Sequence, residues 1–265
     1  MTANISRRTF LAGTATSAAA AAALGLAGCG SSDVESEVYG SADGYAILTT
    51  GDNEPFSFTT ADGDPTGIEP DLVFAALEAA EAECNMQIVS AEEAADAIDN
   101  EEADAIIACM AISEENMETY DFSDSYYDSY VCAASQAGGE VTSLDAAKKK
   151  QVAVKSGSRA ADWAESMVDE YKFDIVEFDT SEEAYEDVTD GDSVLAFDDF
   201  PTMAYNIQEG NGLIIVATEA GEYSVAYGLA VKAGANAELI ESFNAGLVEL
   251  RESGEYDEIV NKYLS

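Results

Sequence analysis

Apolar and polar positions recur at two different periods along this chain, and the switches between them divide it into short elements. "YAILTT" at 45–50 is a compact apolar run of strand length. The stretch 55–67, "PFSFTTADGDPTG", predicts a hairpin with its turn at Asp62-Gly63-Asp64-Pro65. At 71–84, "DLVFAALEAAEAEC" places Leu72, Ala75, Ala76 and Ala79 on one helical face with acids opposite. "QIVS" at 87–90 predicts a strand and "AEEAADAID" at 91–99 a helix. "ADAIIACM" at 103–110 predicts a strand apolar enough to be buried on both faces.

The alternation then repeats. "YVCAAS" at 130–135 predicts a strand, and "SLDAAKKK" at 143–150 a helix with its cations at the C-terminal end, where the dipole favours them. Strands are expected at 151–156, 174–178, 193–199 and 213–218, with helices between them at 158–172, 181–190 and 201–209. "SVAYGLAVKAG" at 224–234 predicts one long apolar strand, and helices at 236–254 and 255–265 close the chain. This order implies an α/β fold with mainly parallel sheets. "EEADAIIACMAIS" and "TDGDSVLAFDDFP" echo one another: acidic helix end, turn, buried strand, polar loop. Equivalent loops in two lobes imply a site between them, at the carboxyl ends of the strands.

The first 28 residues carry an address. "SRRTFLAG" pairs Arg7 and Arg8 ahead of Phe10 and Leu11, the pattern of a twin-arginine export signal. The Ala-rich run that follows stops at Leu26-Ala27-Gly28-Cys29, which looks like a lipobox with Cys29 as the lipidated mature N-terminus. The alternative is an uncleaved membrane anchor. Residues 29–44, rich in Gly, Ser and acids, predict a flexible tether, which leaves 45–265 for the folded part.

Charge narrows the partners. The chain holds 53 acids against 11 bases, and removing Arg7 and Arg8 with the leader leaves nine bases and a net charge of −44. Binding to nucleic acid through phosphates is excluded, because counterion release needs clustered cations. The acid excess is either a solvated surface or an adaptation to high salt, which screens self-repulsion. Five of the nine bases, Lys148, Lys149, Lys150, Lys155 and Arg159, fall within a dozen residues. Besides Cys29 there are Cys84, Cys109 and Cys132, so at most one disulfide is available. Cys109 and Cys132 pair only if their strands are neighbours; otherwise the three thiols are small buried hydrophobes. With no His and no paired Cys spacing, neither a transition-metal site nor a metal cofactor is expected. Catalysis is disfavoured too, since no His can shuttle protons and Cys109 lacks an activating base.

Five motifs in order then carry a resemblance. They are "EPFSFTTADGDPTGIEPDLVFAAL", "ADAIIACMAIS…YDFSDSYYDS", "VAVKSGS", "FDDFP" and "LRESGEYDEIVNKYL". Together they resemble the polar-amino-acid family (family 3) of extracytoplasmic solute-binding proteins of ABC importers, "VAVKSGS" looking most like its glutamine-binding branch. The resemblance implies a two-lobed, periplasmic-binding-protein-like (type II) fold with two hinge strands. Lobe 1 would be 45–127 plus 228–265 and lobe 2 131–223, with the hinge strands at "YVCAAS" and around "SVAYGLA". It further implies a monomeric receptor on the outer face of the cell membrane, lipid-anchored through Cys29. Such a receptor captures an amino acid or related small polar solute and delivers it to a permease. A ligand sensor for a signalling partner would use the same cleft, and a few members of the fold resemble dehydratases.

The family's site chemistry transfers where residues match. Ser158 matches a hydroxyl that helps hold the ligand's carboxylate, with Gly157 beside it at a helix start whose free N–H groups favour an anion; plain N-capping is the other reading. Asp199 matches the carboxylate that binds an ammonium group, or else is itself a cap ahead of Pro201. Lys155 matches a cleft lysine, or is solvated at a strand end. The departures are Asn116, where the family has an arginine clamping the α-carboxylate, and Ala111, which replaces a hydroxyl in the same loop as Cys109. Asn53 and Ala91 stand where an aromatic pair covers the ligand side chain. Losing one partner of a buried charge pair costs roughly 3–5 kcal/mol, so compensation is expected. Lys155 and Arg159 would move the anion-binding charge to lobe 2; the other reading leaves Arg159 in solvent.

Overall fold

The computed structural model describes residues 38–41 and 44–265. The expected signal at 1–28, Cys29 and most of the tether lie outside the described residues. Two mixed sheets dominate. The first runs Val38–Gly40, Cys84–Ile88, Tyr45–Thr49, Ala105–Ile106, Ala230–Lys232, Tyr120–Phe122 in spatial order. The second runs Asp174–Phe178, Gln151–Lys155, Ala196–Asp199, Val131–Gln136, Leu213–Glu219. Each holds three adjacent parallel strands, internal in the first sheet and running in from one edge in the second, with antiparallel strands beside them, so "mainly parallel" holds only for those trios. Val38–Gly40, within the expected tether, pairs antiparallel with Cys84–Ile88.

Period-two burial explains why each sheet is covered on both faces. In the second sheet Val131, Ala133, Val152, Val154 and Phe197 pack on one side with Trp163 and Phe173. Their neighbours Cys132, Ala134, Ala153 and Ala196 face the other side, against Tyr185 and Met203. In the first sheet Ile47, Ala105 and Ile107 join the large core with Leu72, Phe243 and Leu247, while Leu48 and Ile106 meet Ala94 and Ile98. Each sheet with its helices is one lobe.

A two-stranded ribbon joins the lobes: Tyr127–Ser129 runs antiparallel to Val225–Tyr227, with Ser129 opposite Val225. The hinge expected at 130–135 is thereby corrected, since Val131–Gln136 lies inside the second sheet between two partners. The single strand expected at 224–234 is corrected as well. Val225–Tyr227 belongs to the ribbon and Ala230–Lys232 to the first sheet, and the chain crosses over at Gly228. A Cβ on Gly228 would sit 3.0 Å from Ile112 Cδ1 and 3.1 Å from Phe122 Cδ1, so a side chain at the crossover would need both neighbours to give by a few tenths of an ångström.

Three further departures have local causes. The strand expected at 103–110 stops at Ile106, because Cys109 adopts φ 51° and gives its N–H to Glu69 Oε1 at 2.6 Å rather than to a neighbouring strand. The helix expected at 158–172 divides into Arg159–Ser166 and Val168–Tyr171, with Ser166 Oγ donating to the Trp163 carbonyl at 2.7 Å. The segment 143–150 forms only a 3₁₀ turn, Leu144–Ala147, and its lysines follow the turn. The helices at Ala91–Asp99 and Ser181–Asp190 match their expected spans. Each begins with a reciprocal capping box, Ser90 with Glu93 and Thr180 with Glu183.

Candidate functional site

A cleft of about 520 Å³ opens between the lobes. Lobe 1 lines it with Gly51, Asp52, Asn53, Glu54, Phe58 and Thr59, which come from the hairpin after Tyr45–Thr49. Lobe 2 contributes the 155–158 turn, the start of Ser181–Asp190, Asp198, Asp199, Thr202 and Asn206. At the rim the Phe58 and Tyr205 rings approach across the lobes, with centroids 5.9 Å apart.

The 155–158 turn follows from strand and helix chemistry. Lys155 ends its strand and is exposed, and Gly157 takes φ 68°, a left-handed conformation that favours glycine. Ser158 caps the helix: its Oγ accepts from Ala161 N at 3.1 Å and donates to the Lys155 carbonyl at 2.8 Å. The cap reading of Ser158 therefore describes the structure. The first-turn N–H groups of Arg159 and Ala160 bond to no protein acceptor and stay open toward an anion.

Asp199 ends the strand Ala196–Asp199 and precedes the helix Phe200–Gln208, yet its carboxylate makes no capping bond. Its Oδ2 instead meets Arg159 Nη2 at 2.8 Å, both side chains being about 30% exposed. Its Oδ1 is buried and has no partner. The same guanidinium donates from Nη1 to the Tyr223 carbonyl at 2.8 Å and from Nη2 to Ser129 Oγ at 3.4 Å. Arg159 thus sits at the hinge end of Asp199, and the solvent-exposed reading is corrected.

Asp198 holds Asp199 from behind. Its Oδ1 accepts the Asp199 N–H at 2.7 Å, and the Tyr185 hydroxyl donates to its Oδ2. Burial pushes the Asp198 carboxyl above the usual carboxylate range, against the opposing pull of the Ser181 and Tyr185 hydrogen bonds.

On lobe 1, Asn53 lines the cleft and donates to Cys109 Sγ at 3.1 Å. Cys109 does not line the cleft itself; burial first, then the Glu69 charge, drive its thiol far above the ordinary range and keep it neutral. All three described cysteines are free, so Cys109 and Cys132 do not pair. Ala111 bridges to Tyr227 beside the ribbon. Asn116 turns back on its own loop, donating from Nδ2 to the Ala111 carbonyl at 2.8 Å. Ala91 is exposed at the start of its helix, outside the cleft lining.

Lys155, Gly157, Ser158, Asp199 and Asn53 therefore meet at one cleft with Arg159 directly behind, whereas Asn116, Ala111 and Cys109 stand off it. Glu69, Asp198 and the Ser129 and Tyr223 contacts were not foreseen. Only Asp198, next to Asp199 in "FDDFP", carried a signal. Among the described residues no group of acids and cysteines is arranged to hold a metal ion, and no helix is long and apolar enough to cross a membrane.

Residues 45–265 match the model of the bacterial extracellular solute-binding proteins, family 3. An L-arginine-binding protein of Pseudomonas aeruginosa is 28% identical, over 80% of this chain and 84% of the relative. The second substrate-binding domain of a putative amino acid ABC transporter from Streptococcus pneumoniae superposes with a TM-score of 0.79. It is 30% identical and covers 83% of this chain and all of that one. The second substrate-binding domain of Lactococcus lactis GlnP, in its open conformation, superposes at 0.78 with 29% identity over 83% of this chain and 94% of that one.

Proposed function

The chain belongs to the bacterial extracellular solute-binding proteins, family 3, and on that premise we propose that it captures a free amino acid between its lobes and delivers it to an ABC permease. One observation carries the proposal: Asp199 offers a buried carboxylate oxygen with no partner at a cleft lined by both lobes. A buried acceptor left unpaired costs about 1–3 kcal/mol, and a ligand ammonium group would recover that cost on binding. Lys155, Gly157, Ser158 and the open N–H groups after it face the ligand's polar or anionic end. Asn53 faces its side chain. Closure of the lobes around the hinge ribbon then presents the liganded form to the permease.

The same reading places the protein outside the cytoplasm as a monomer, exported through the twin-arginine signal at Arg7 and Arg8 and held to the membrane by lipid on Cys29. Calorimetric titration of the purified protein with each of the common amino acids tests the ligand. The expected result is one-to-one binding of at least one of them, L-arginine and L-glutamine being the first to try. Native mass spectrometry of protein purified without unfolding should recover that amino acid intact. A protein that binds none of them overturns the reading.

A further inference from the structure

We propose that Arg159 is the anion-receiving pole of the ligand head group, and that the cleft consequently takes zwitterions in preference to the matching simple amines. This rests on the functional reading above and adds the chemistry by which the head group is read.

Lobe 1 places no cation in the cleft lining. Its share of the lining includes two acids, Asp52 and Glu54, and no base. Asn116 is uncharged and is spent on the Ala111 carbonyl. Lobe 2 offers Lys155 at the cleft lining and Arg159 paired to Asp199. A guanidinium has five N–H donors, and Arg159 commits three bonds: to Tyr223, Ser129 and Asp199. Two donors remain on a side chain that is 29% exposed, beside a carboxylate whose Oδ1 is unpartnered. A positive and a negative pole, each with unused capacity, therefore stand one hydrogen bond apart. An α-amino acid carries its ammonium and carboxylate on a single carbon and can satisfy both poles together.

A simple amine meets the pair differently. It finds an Asp199 charge already balanced by Arg159, and lobe closure would desolvate the spare guanidinium donors with nothing to receive them. The zwitterion satisfies both groups, so the carboxylate becomes a condition of tight binding. The guanidinium is also held in place beforehand. Ser129 is fully buried in the hinge ribbon, and Tyr223 lies two residues before the other ribbon strand. Little ordering is left to be done on binding.

Three amino-acid and amine pairs are the probes: L-arginine with agmatine, L-histidine with histamine, and L-glutamine with γ-aminobutyramide. Each is titrated into the full-length protein and into Arg159→Gln and Arg159→Lys. For the amino acid that binds, the parent protein should prefer it to its amine by at least about tenfold, the scale of one charged hydrogen bond. Arg159→Gln should lose most of that preference by binding the amino acid more weakly and the amine more tightly, since Asp199 is then unbalanced and no spare guanidinium donors are desolvated. Arg159→Lys should retain part of it. The ratio of the two affinities separates the proposal from general damage at the hinge, which would weaken both ligands alike. An unchanged ratio in Arg159→Gln, or a parent protein that binds amine and amino acid equally, overturns the proposal and leaves the functional reading standing. A parent protein that binds no amino acid overturns both.

Discussion

Glu69 and Cys109 are joined by a 2.6 Å hydrogen bond from the Cys109 backbone N–H to Glu69 Oε1. The bond ties the start of the helix Ile68–Ala79 to the left-handed residue where the lobe 1 loop leaves its sheet. Tyr126 donates its hydroxyl to the same oxygen, and Oε2 is buried without a partner. Through Cys109 Sγ the assembly also receives Asn53, so a fully buried acid sets the backbone beneath the cleft.

That acid makes stability depend on pH with a definite sign. Burial raises the Glu69 carboxyl above its ordinary value of 4.5, against the lowering effect of its Tyr126 and Cys109 bonds. The folded state therefore holds this proton more tightly than the unfolded state. Its contribution is complete below the unfolded pKa and is lost as pH rises through the folded one. Glu69→Gln removes the titration. In urea unfolding from about pH 5 to about pH 8, the parent should lose stability with pH faster than the variant. Parallel curves would mean that Glu69 does not titrate in this range.

Asp199→Asn removes the charge offered to a ligand ammonium group. Affinity for the bound amino acid should fall by about 1.5–3 kcal/mol, roughly ten- to a hundredfold. The helix Phe200–Gln208 should survive, because the Asp199 side chain makes no capping bond that Asn must replace. Calorimetry measures the affinity, and circular dichroism checks the helix. Unchanged affinity would remove Asp199 from the ammonium site.

Local chemistry was legible and long-range partnership was not. Ala91–Asp99 and Ser181–Asp190 could be read from period and cap residues, because a helix is specified by residues three and four apart. The motif order pointed to two lobes and brought Asn53, Lys155, Ser158 and Asp199 to one cleft. The strand expected at 103–110 ends early because the chain is diverted by Glu69, a residue on another element. Between Ile68 and Pro70, that acid looks like any residue at a helix start. For Arg159 the sequence offered solvent or a ligand anion and gave no sign of its partner in the folded protein, Asp199. Such pairings depend on which strand ends the topology brings together, which period and propensity do not encode.

Gly246 is a packing requirement. It lies in the helix Ala237–Ser253, where an added Cβ would stand 1.9 Å from the Ala76 carbonyl oxygen of the helix Ile68–Ala79. The obstacle is backbone and cannot rotate aside. Gly246→Ala gains about 1 kcal/mol of helix propensity but forces the helices apart at a cost of about 1–3 kcal/mol or more. A net loss of stability is expected, seen as a fall of a few degrees in Tm. A stabilised variant would show that the two helices separate freely.

Export is tested at the leader. Replacing Arg7 and Arg8 together by lysine should leave unprocessed precursor in the cytoplasm. Cys29→Ala should abolish metabolic labelling with fatty acid. Normal surface delivery of the double-lysine variant would rule out the twin-arginine route.

Salt should stabilise the protein, and the reason is its charge balance. With the leader removed, nine bases oppose 53 acids. Only five ion pairs form among the described residues, each with at least one partner more than a quarter exposed. Screening therefore costs a few weak attractions and relieves a large self-repulsion, which is greater in the compact state than in the unfolded chain. The Debye length falls from about 10 Å at 0.1 M to about 3 Å at 1 M, so most of the gain should appear within that range and then level off. Thermal unfolding in increasing sodium chloride should show Tm rising steeply at first and flattening toward about 1 M. A steady climb at higher concentrations would indicate salting-out rather than screening. A flat profile would mean that the acids are spaced widely enough in the folded state for solvent alone to manage their repulsion.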